Sequence, residues 1–374
     1  MILEGYSKQE KPIKVTIEGK KIVKVEELDS TEENHYILPG FIDIHTHGGY
    51  GTDFMDASVD QTTKYLKNLP AEGTTSIYHT SVTDTDEHID LALENVIQFI
   101  EKPPKNMTRI LGIHLEGVFI NPAKKGAHDP SLLRPLTTGE LDHLIKVSKN
   151  HIKIVTYAPE LVPVSVTRYM HSKGIIASAG HTMADFDTIN RHAKYGLNKL
   201  THLYNAMLPP VNKRENGASL AAFLTEGMYT EIIADGVHVT PPAVTLAYRN
   251  VPKDKMLLIT DSTSPKGMPD GDNYKLGGLK IIKKGNTIYL EDMTSIAGSI
   301  SAMIDNFRNY INFTGASIEE ASDATSINQA KLLGLEEKLG KIAPNYEADI
   351  LILDKETLEI EETICLGEIA YKQY

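Results

Sequence analysis

The chain has 374 residues, of which 41% are hydrophobic and 24% are charged, so it is long enough for one large barrel or two ordinary domains. Its net charge of −12 argues against a general nucleic-acid or anionic-membrane surface, although local cationic groups can still bind an anionic small molecule. Cys365 is the only cysteine, which rules out an intrachain disulfide and a cysteine metal cluster and fits a reducing cytoplasm. Charged residues such as Lys8 and Glu10 near the N-terminus argue against a signal peptide. The lack of a long apolar run argues against a membrane-spanning helix.

Both ends of the chain are predicted to form β-structure. Near the N-terminus, short strands are expected at residues 13–18 and 21–26, on either side of a Gly-Lys turn. Near the C-terminus, strands are expected at residues 348–353 and 359–371, the second with one glycine break. Two strand-rich ends around a different middle predict one small β-sandwich domain, built from residues 1–38 and 337–374.

The middle of the chain alternates between short apolar runs and stretches with helical periodicity. The eight apolar runs cover residues 40–45, 74–79, 110–115, 152–158, 174–179, 197–202, 230–234 and 256–260. The helix-like stretches include residues 61–72, 87–101, 138–148 and 164–173, and a long helical region runs from residue 299 to about 335. This alternation predicts an α/β fold, a (β/α)₈ TIM barrel over residues 39–336. The alternative is an open doubly wound sheet, which usually has fewer strands and often a Gly-rich phosphate turn that is missing here.

Almost every apolar run ends in a polar residue that can take part in chemistry. These residues are His45 with His47, Glu116, His181, His202, Asp235 with His238, and Asp261. Barrel enzymes place their catalytic groups at the carboxyl ends of the strands. We therefore expect these side chains to meet at one face of the barrel.

His45 and His47 have the spacing of two metal ligands on one strand. Side chains two residues apart leave the same face of a strand, so both imidazoles can reach one ion. Together with Glu116, His181 and His202 they provide four imidazoles and one carboxylate, a set suited to divalent Zn, Fe or Mn. Two ions that share Glu116 would account for five ligands, and a single-ion site of Glu116, His181 and His202 is the alternative.

Each of these assignments has a structural alternative. His181 can lie at the capped start of a helix, and His202 can be a buried structural histidine. Glu116 is the least ambiguous, because a carboxylate at the end of an apolar run is costly to desolvate without a cation. Asp261 can cap a turn, but in a metal hydrolase it is the general base that takes a proton from the attacking water, which we favour. We interpret the following histidines as structural or surface residues: His79, His88, His114, His143, His151, His171 and His192.

The motifs, taken in order, resemble those of the amidohydrolase superfamily, and within it the N-acetylglucosamine-6-phosphate deacetylase family. The shared stretches span most of the chain and include Leu38-Pro-Gly-Phe-Ile-Asp-Ile-His-Thr-His-Gly48, His114-Leu-Glu-Gly117, Lys124-Lys-Gly-Ala-His-Asp-Pro130, Ser178-Ala-Gly-His181, Thr201-His-Leu-Tyr-Asn-Ala-Met207, Ala234-Asp-Gly-Val-His-Val239, Ile259-Thr-Asp261 and Ala297-Gly-Ser299. The resemblance implies a barrel enzyme that hydrolyses the N-acetyl group of N-acetylglucosamine 6-phosphate in amino-sugar catabolism.

The resemblance also implies a ligand set and a cofactor. Glu116, His181 and His202 match the metal ligands that the family shares, and this chain retains His45 and His47, which some members lack. One or two divalent ions per subunit are therefore implied, from Zn, Fe, Mn, Co or Ni. Asp261 matches the catalytic aspartate.

Further matches imply a substrate site and a homodimer. His128 matches a histidine that contacts and polarises the acetyl carbonyl, and Asn205 and Ala206 match a turn that contacts the sugar phosphate. His238 matches another residue at the sugar phosphate. Arg214 resembles an arginine that reaches the phosphate across the dimer interface, although a solvated surface position is the ordinary reading of such a loop residue.

Departures from the family pattern concern the substrate pocket. The loop 208–217 is one residue longer than usual, and Asn216 stands where proline is common, so Lys213 is an alternative to Arg214. Val118 replaces a frequent proline after Gly117. The alternative functions are a deacetylase of another substrate, such as N-acetylgalactosamine 6-phosphate, and a non-catalytic amidohydrolase-like scaffold. A sugar-phosphate isomerase barrel with structural histidines is a third alternative.

Overall fold

A computed structural model of the protein describes residues 1–373. Its strands, numbered in chain order, are β1 (Ile2–Tyr6), β2 (Pro12–Glu18), β3 (Lys21–Glu27), β4 (His35–Pro39), β5 (Phe41–Thr46), β6 (Gly48–Gly49), β7 (Thr52–Asp53), β8 (Thr74–Thr80), β9 (Arg109–Leu115), β10 (Ile152–Tyr157), β11 (Ile176–Ala179), β12 (Leu197–Leu200), β13 (Tyr229–Ile232), β14 (Met256–Leu258), β15 (Gly271–Leu276), β16 (Leu279–Lys284), β17 (Thr287–Leu290), β18 (Ile350–Asp354), β19 (Ile360–Cys365) and β20 (Glu368–Lys372). Its α-helices are α1 (Val59–Asn68), α2 (Asp86–Glu101), α3 (Thr138–Val147), α4 (Val164–Ser172), α5 (Phe186–Ala193), α6 (Ala221–Leu224), α7 (Pro241–Asn250), α8 (Met303–Thr314), α9 (Ile318–Thr325) and α10 (Ile327–Leu332).

Eight strands form a parallel sheet that closes into a barrel. Their hydrogen-bonded order is β5-β8-β9-β10-β11-β12-β13-β14. The first and last strands meet at their carboxyl ends, where the backbone N–H of Asp261 donates to the carbonyl of His45 at 2.8 Å. The backbone N–H of His47 likewise donates to the carbonyl of Ser262 at 2.8 Å. This closure brings the His-x-His segment against the segment that carries Asp261.

Polar sequence signals set where two of the barrel helices begin. Ser58 accepts the backbone N–H of Gln61, whose side chain accepts the backbone N–H of Ser58 in return. Thr137 and Glu140 form the same capping box before α3. Each box satisfies two backbone donors that a helix start leaves without partners. Behind the first cap, Leu66 is fully buried, which contributes about 1.5–3 kcal/mol relative to an exposed side chain.

The two termini together form one seven-stranded sheet. Its order is β20-β19-β18-β4-β1-β2-β3, and the single pair Tyr6 with Tyr36 joins β1 to β4. Apolar side chains from both halves, such as Val15 and Ile350, belong to one buried core. The small β-sandwich expected from both termini therefore takes the form of one sheet whose halves share a core.

The strand–helix order expected for the barrel agrees with the structure. Each of the eight apolar runs contains most of one barrel strand, and the helix-like stretches coincide largely with α1 to α4. The long helical region after residue 299 consists of three helices, because Gly315 ends α8 at a φ of 72° and Ser326 separates α9 from α10. Within residues 1–373, no helix has the length and apolar character needed to cross a membrane.

A small antiparallel sheet between β14 and α8 was not predicted from the sequence. Its strands are β15, β16 and β17. The backbone N–H of Gly277 in its first turn donates to Oδ2 of Asp53 at 2.8 Å. The hydroxyl of Ser264 donates to the carbonyl of Lys275 at 2.8 Å. These bonds hold the sheet against the loops at the carboxyl end of the barrel.

Candidate metal centre

Polar side chains gather where the barrel strands end, and several lie on strained backbone. They are His45 and His47 at the end of β5, Glu116 after β9, His181 after β11, His202 after β12 and Asp261 after β14. The φ angle is 46° at His181, 29° at His202 and 50° at Asp261. A non-glycine residue in this left-handed region costs on the order of 1–3 kcal/mol, and such strain is concentrated at functional sites.

His45, His47, Glu116 and Asp261 form one compact cluster. One ligand atom from each residue lies within 4.8 Å of the ligand atoms of the others. Oε2 of Glu116 is 3.0 Å from Nε2 of His45 and 3.2 Å from Nε2 of His47. Oδ1 of Asp261 is 3.1 Å from Nε2 of His47 and 3.5 Å from Nε2 of His45. Two imidazoles that face two carboxylates suit a divalent transition metal.

Glu116 also faces a second pair of histidines. Its Oε1 is 3.2 Å from Nε2 of His202 and 3.7 Å from Nε2 of His181, and these two nitrogens are 3.0 Å apart. Nδ1 of His181 donates to the carbonyl of Lys124 at 2.8 Å, so neutral His181 turns the lone pair of Nε2 toward Glu116. Oε1 of Glu116 is buried and has no hydrogen-bond partner among residues 1–373. These electron-rich atoms fit a cation between them, and Glu116 can bridge both positions.

The electrostatics of the cluster keep its carboxylates anionic. Burial alone would raise the pKa of Asp261, but His45 and His47 lower it to about 2. Burial also opposes the charge of Glu116, yet the neighbouring histidines hold the pKa of Glu116 well below its ordinary value. Burial, reinforced by His202, lowers the pKa of His181 to about 4. At neutral pH this imidazole is therefore uncharged, as a metal ligand must be.

His128 presents an N–H donor to the same site. The backbone N–H of Thr83 donates to Nδ1 of His128 at 3.3 Å, so this nitrogen accepts, and the Thr83 hydroxyl donates to it at 2.7 Å while accepting from the backbone N–H of Val118 at 2.8 Å. Burial lowers the pKa of His128 well below its ordinary value, and the neutral ring therefore carries its proton on Nε2. The rings of His128 and His181 lie edge to face, with centroids 4.8 Å apart.

A cavity of about 290 Å³ opens onto these groups. Its walls include His47, Glu116, His128, His181, His202, Asn205, Ala206, His238 and Asp261. His45 lies fully buried beneath them. Nδ1 of His238 is 2.7 Å from Oδ2 of Asp235, which fixes the orientation of that ring. The fold thus brings together around one cavity every residue predicted for the site except Arg214.

Arg214 is exposed and does not line the cavity of its own chain. Both Arg214 and its alternative Lys213 are exposed in the loop between β12 and α6. The loop is closed by two backbone hydrogen bonds of 2.9 Å between Asn212 and Glu215. Neither cation is among the described residues that line the cavity.

Several residues at the site were not predicted from the sequence. Glu231 accepts a hydrogen bond from Nδ1 of His45 at 3.0 Å, and its other oxygen pairs with Lys199. Both lie inside short strands rather than at their ends, so the strand-end pattern does not mark them, although a charged residue inside a buried strand is itself a signal. Leu276 and Ile296 line the cavity from the inserted sheet and the segment after it. No feature of the sequence pattern marks these two.

Comparison with known proteins gives a consistent result. The sequence profile described as Amidohydrolase family matches residues 36–370. The chain is 39% identical over 338 residues to the N-acetylglucosamine-6-phosphate deacetylase of Bacillus subtilis (strain 168), with 90% of this chain and 84% of that protein covered. It is 32% identical over 342 residues to the N-acetylgalactosamine-6-phosphate deacetylase of Escherichia coli O157:H7, with 91% and 89% covered. The crystal structure of N-acetylglucosamine-6-phosphate deacetylase from Thermotoga maritima matches with a TM-score of 0.91 at 33% identity, and 100% of both chains is covered.

Proposed function

Because the chain belongs to the amidohydrolase family, we propose that it hydrolyses the N-acetyl group of N-acetylglucosamine 6-phosphate, giving glucosamine 6-phosphate and acetate. The observation that carries this proposal is the arrangement of Glu116 between two pairs of histidines, with Asp261 beside one pair, at the floor of a single cavity. The similarity to deacetylases over most of the chain supports the reaction and its place in amino-sugar catabolism.

The proposed metal ligands are His45, His47, Glu116, His181 and His202. A divalent ion bound there would lower the pKa of water and polarise the acetyl carbonyl. The two groups of donors on either side of Glu116 support a site for two ions, with one ion as the alternative. Zn, Fe, Mn, Co and Ni all accept imidazole and carboxylate ligands, so metal availability decides among them.

Asp261 and His128 carry the proton and charge movements of the proposed reaction. Asp261, which its neighbours keep anionic, takes a proton from the attacking water. It then passes this proton to the amide nitrogen, which leaves as a neutral amine and would leave poorly as an anion. His128 donates from Nε2 to the acetyl oxygen and stabilises the negative charge that develops there.

The sugar phosphate is proposed to contact Asn205, Ala206 and His238 at one wall of the cavity. The glucosamine epimer is favoured because the 39% identical Bacillus subtilis relative is an N-acetylglucosamine-6-phosphate deacetylase. The alternative substrate is N-acetylgalactosamine 6-phosphate, which is the substrate in the name of the 32% identical Escherichia coli relative.

We further propose that the protein works as a homodimer in which Arg214 of one protomer reaches the phosphate in the other protomer's site. Support comes from its exposure and from its absence among the residues that line the cavity of its own chain. A phosphate dianion needs cationic partners, and a guanidinium can bind two of its oxygens at once. Lys213 is the alternative. A cytoplasmic location is part of the proposal, since Cys365 is the only cysteine.

Acetate release from N-acetylglucosamine 6-phosphate tests the proposed function. We expect release by the purified protein, loss of release after treatment with a chelator, and recovery when Zn²⁺ is restored. The galactosamine epimer, assayed under the same conditions, decides between the two substrates. A protein that binds the sugar phosphate but releases no acetate would favour a scaffold, and activity unaffected by chelation would contradict a metal-dependent reaction.

A further inference from the structure

Beneath the proposed metal ligands, the barrel interior holds a buried ion pair. Nζ of Lys199 is 2.5 Å from Oε1 of Glu231, and both side chains have 0% exposure. Neither is among the described residues that line the cavity. Removing two charges from water costs several kcal/mol per ion, so a buried pair is a weak way to stabilise a fold. Its contacts indicate a different role.

The second carboxylate oxygen of Glu231 holds two of the ligand segments. Oε2 accepts from Nδ1 of His45 at 3.0 Å and from the backbone N–H of His202 at 3.1 Å. Nε2 of the same ring shares a proton with Oε2 of Glu116 at 3.0 Å, and a cation bound there would displace that proton and take the Nε2 lone pair while Glu231 keeps the proton on Nδ1. A carboxylate behind a ligating histidine fixes the orientation and tautomer of the ring and increases its basicity.

A chain of hydrogen bonds with a single direction supports Lys199 from the other side. The carbonyl of Ile44 can only accept, so Nδ1 of His114 donates to it at 3.1 Å, and Nε2 of the same neutral ring accepts from the hydroxyl of Thr156 at 2.7 Å. The remaining bonds, each from donor to acceptor, run from Lys199 to Ser178 at 3.2 Å, from Ser178 to Thr201 at 2.6 Å and from Thr201 to Thr156 at 2.8 Å. The ion pair is thus fixed at Lys199 by this chain of hydrogen bonds and at Glu231 by the bonds to His45 and His202.

This network also argues against a separate metal site at the same place. His45, His114 and Glu231 each have a ligand atom within 4.8 Å of the others. However, Lys199 already neutralises Glu231, and both ring nitrogens of His114 are hydrogen-bonded. A cation there would have to displace an ammonium group and break two hydrogen bonds.

We propose that Glu231, neutralised by Lys199, is a positioning residue for the metal position built on His45 and His47. The proposal rests on the proposed two-ion site. Glu231 acts through His45 and does not itself line the cavity. Without it, Nδ1 of His45 would be buried with no carboxylate to hold it, and the ring would lose the orientation that directs Nε2 at Glu116. On the other side of Glu116, Glu231 bonds only the backbone N–H of His202 and neither imidazole, and Lys124 still orients His181.

The test uses two variants and a matched control. In the first variant, Lys199→Met with Glu231→Leu, no unpaired charge is left in the core, and apolar replacement of a buried pair is often neutral for stability. The second variant, Glu231→Gln, keeps the shape of the side chain and serves if the first does not fold. The control, Lys266→Met with Glu72→Leu, removes another buried pair at 3.0 Å, which hydrogen-bonds none of the proposed ligands.

Each protein is stripped with a chelator and titrated with Zn²⁺, and the ions bound per chain are counted by mass spectrometry of the metal. Circular dichroism and thermal unfolding of the metal-free proteins check the fold. We expect wild type and control to bind two ions. In both Glu231 variants, the affinity for one of the two ions should fall by about 10- to 100-fold, as is typical when the group behind a ligand is lost.

Two ions bound by the variants with wild-type affinity would overturn the proposal, and so would an equal loss in the control. A single ion in wild type would overturn it as well, because Glu231 would then have no second position to serve. Acetate release by wild type is scored separately. If wild type binds one ion and releases acetate, the proposed function stands and this inference fails. If wild type releases no acetate but the variants selectively lose one ion, this inference stands and the proposed function fails.

Discussion

Thr83 fixes the position of the proton on His128. The backbone N–H of Thr83 donates to Nδ1 of that ring at 3.3 Å, so this nitrogen accepts, and the Thr83 hydroxyl donates to it at 2.7 Å. Gly117 makes the contact possible, since its φ is 110° and a Cβ on it would lie 2.4 Å from the backbone N of Thr83. Gly117 thus allows Thr83 to set which nitrogen of His128 faces the substrate as a donor.

Replacing Thr83 with valine should lower kcat by about 3- to 10-fold. The exchange keeps the shape of the side chain but removes a hydrogen bond, which is worth on the order of 0.5–1.5 kcal/mol. The longer bond from the backbone N–H of residue 83 would remain, but the ring of His128 would populate its other tautomer in part, and only one tautomer donates to the acetyl oxygen. Steady-state kinetics give kcat and KM, and ¹⁵N NMR of histidine-labelled protein gives the tautomer. Thr83→Ser keeps the hydroxyl and is the control. A valine variant with wild-type kcat and an unchanged tautomer would contradict this role.

The strand-end pattern predicts those site residues that come just after an apolar strand. Glu116 and Asp261 each come just after an apolar strand, and parallel strands bring such residues to one edge. Thr83 also follows a strand, but threonine is common there. Its importance depends on an acceptor that another segment supplies, Nδ1 of His128. A single sequence does not contain that pairing.

Glu231 shows the same limit inside the barrel. Its partners Lys199 and His45 lie on other strands, 32 and 186 positions away in the chain, and only the closed barrel brings them together. The inserted sheet β15 to β17 escaped prediction for a related reason, because its short strands lie outside the repeated alternation that indicates the barrel. The domain boundaries at residues 38/39 and 336/337 stay a prediction.

Replacing Asp261 with asparagine should lower kcat by about 10²- to 10⁴-fold while bound Zn²⁺ stays near the wild-type amount. The amide has the shape of the carboxylate but does not accept a proton from water at neutral pH. Acetate release and metal content are measured on the same preparation, so that loss of metal is distinguished from loss of the base. Full activity in the variant would exclude Asp261 as the general base.

Replacing Arg214 with alanine should raise KM for N-acetylglucosamine 6-phosphate by about 10- to 100-fold with little change in kcat. A hydrogen bond to a charged group is worth on the order of 1.5–3 kcal/mol, and the phosphate lies away from the reacting bond. Lys213→Ala removes the neighbouring cation from the same loop and is the matched control. If Lys213→Ala raises KM and Arg214→Ala does not, the register of the loop is the alternative one.

Mixed dimers test whether Arg214 acts across the interface. Subunits with Arg214→Ala and subunits with Asp261→Asn each have a damaged site. In a mixed dimer, the subunit that retains Asp261 receives the intact arginine from its partner. We therefore expect the mixture to recover a population of sites with wild-type KM. Mass spectrometry confirms that mixed dimers have formed. If they show no sites with wild-type KM, Arg214 either acts in its own subunit's site or does not contact the phosphate.

His192 does not line the cavity and offers a test of stability against pH. It is buried on α5, where Nδ1 is 2.7 Å from the hydroxyl of Thr167. Burial, together with the nearby charge of Arg191, lowers its pKa from 6.5 to about 4. In the unfolded chain the ring binds a proton more readily than in the folded protein, so acid favours unfolding.

The free energy of unfolding should therefore fall as the pH drops from about 6.5 to about 4, and His192 should account for up to about 3 kcal/mol of that fall. Above about pH 7.5 the ring is almost entirely neutral in both states and contributes almost no slope. His192→Gln removes the titration but can keep a hydrogen bond to Thr167. We expect the difference in unfolding free energy between wild type and variant to shift in favour of the variant as the pH falls, and to be almost constant above about pH 7.5. Urea unfolding of chelator-treated proteins at several pH values measures this difference, and parallel curves from pH 7 to pH 4 would show that His192 does not drive acid unfolding.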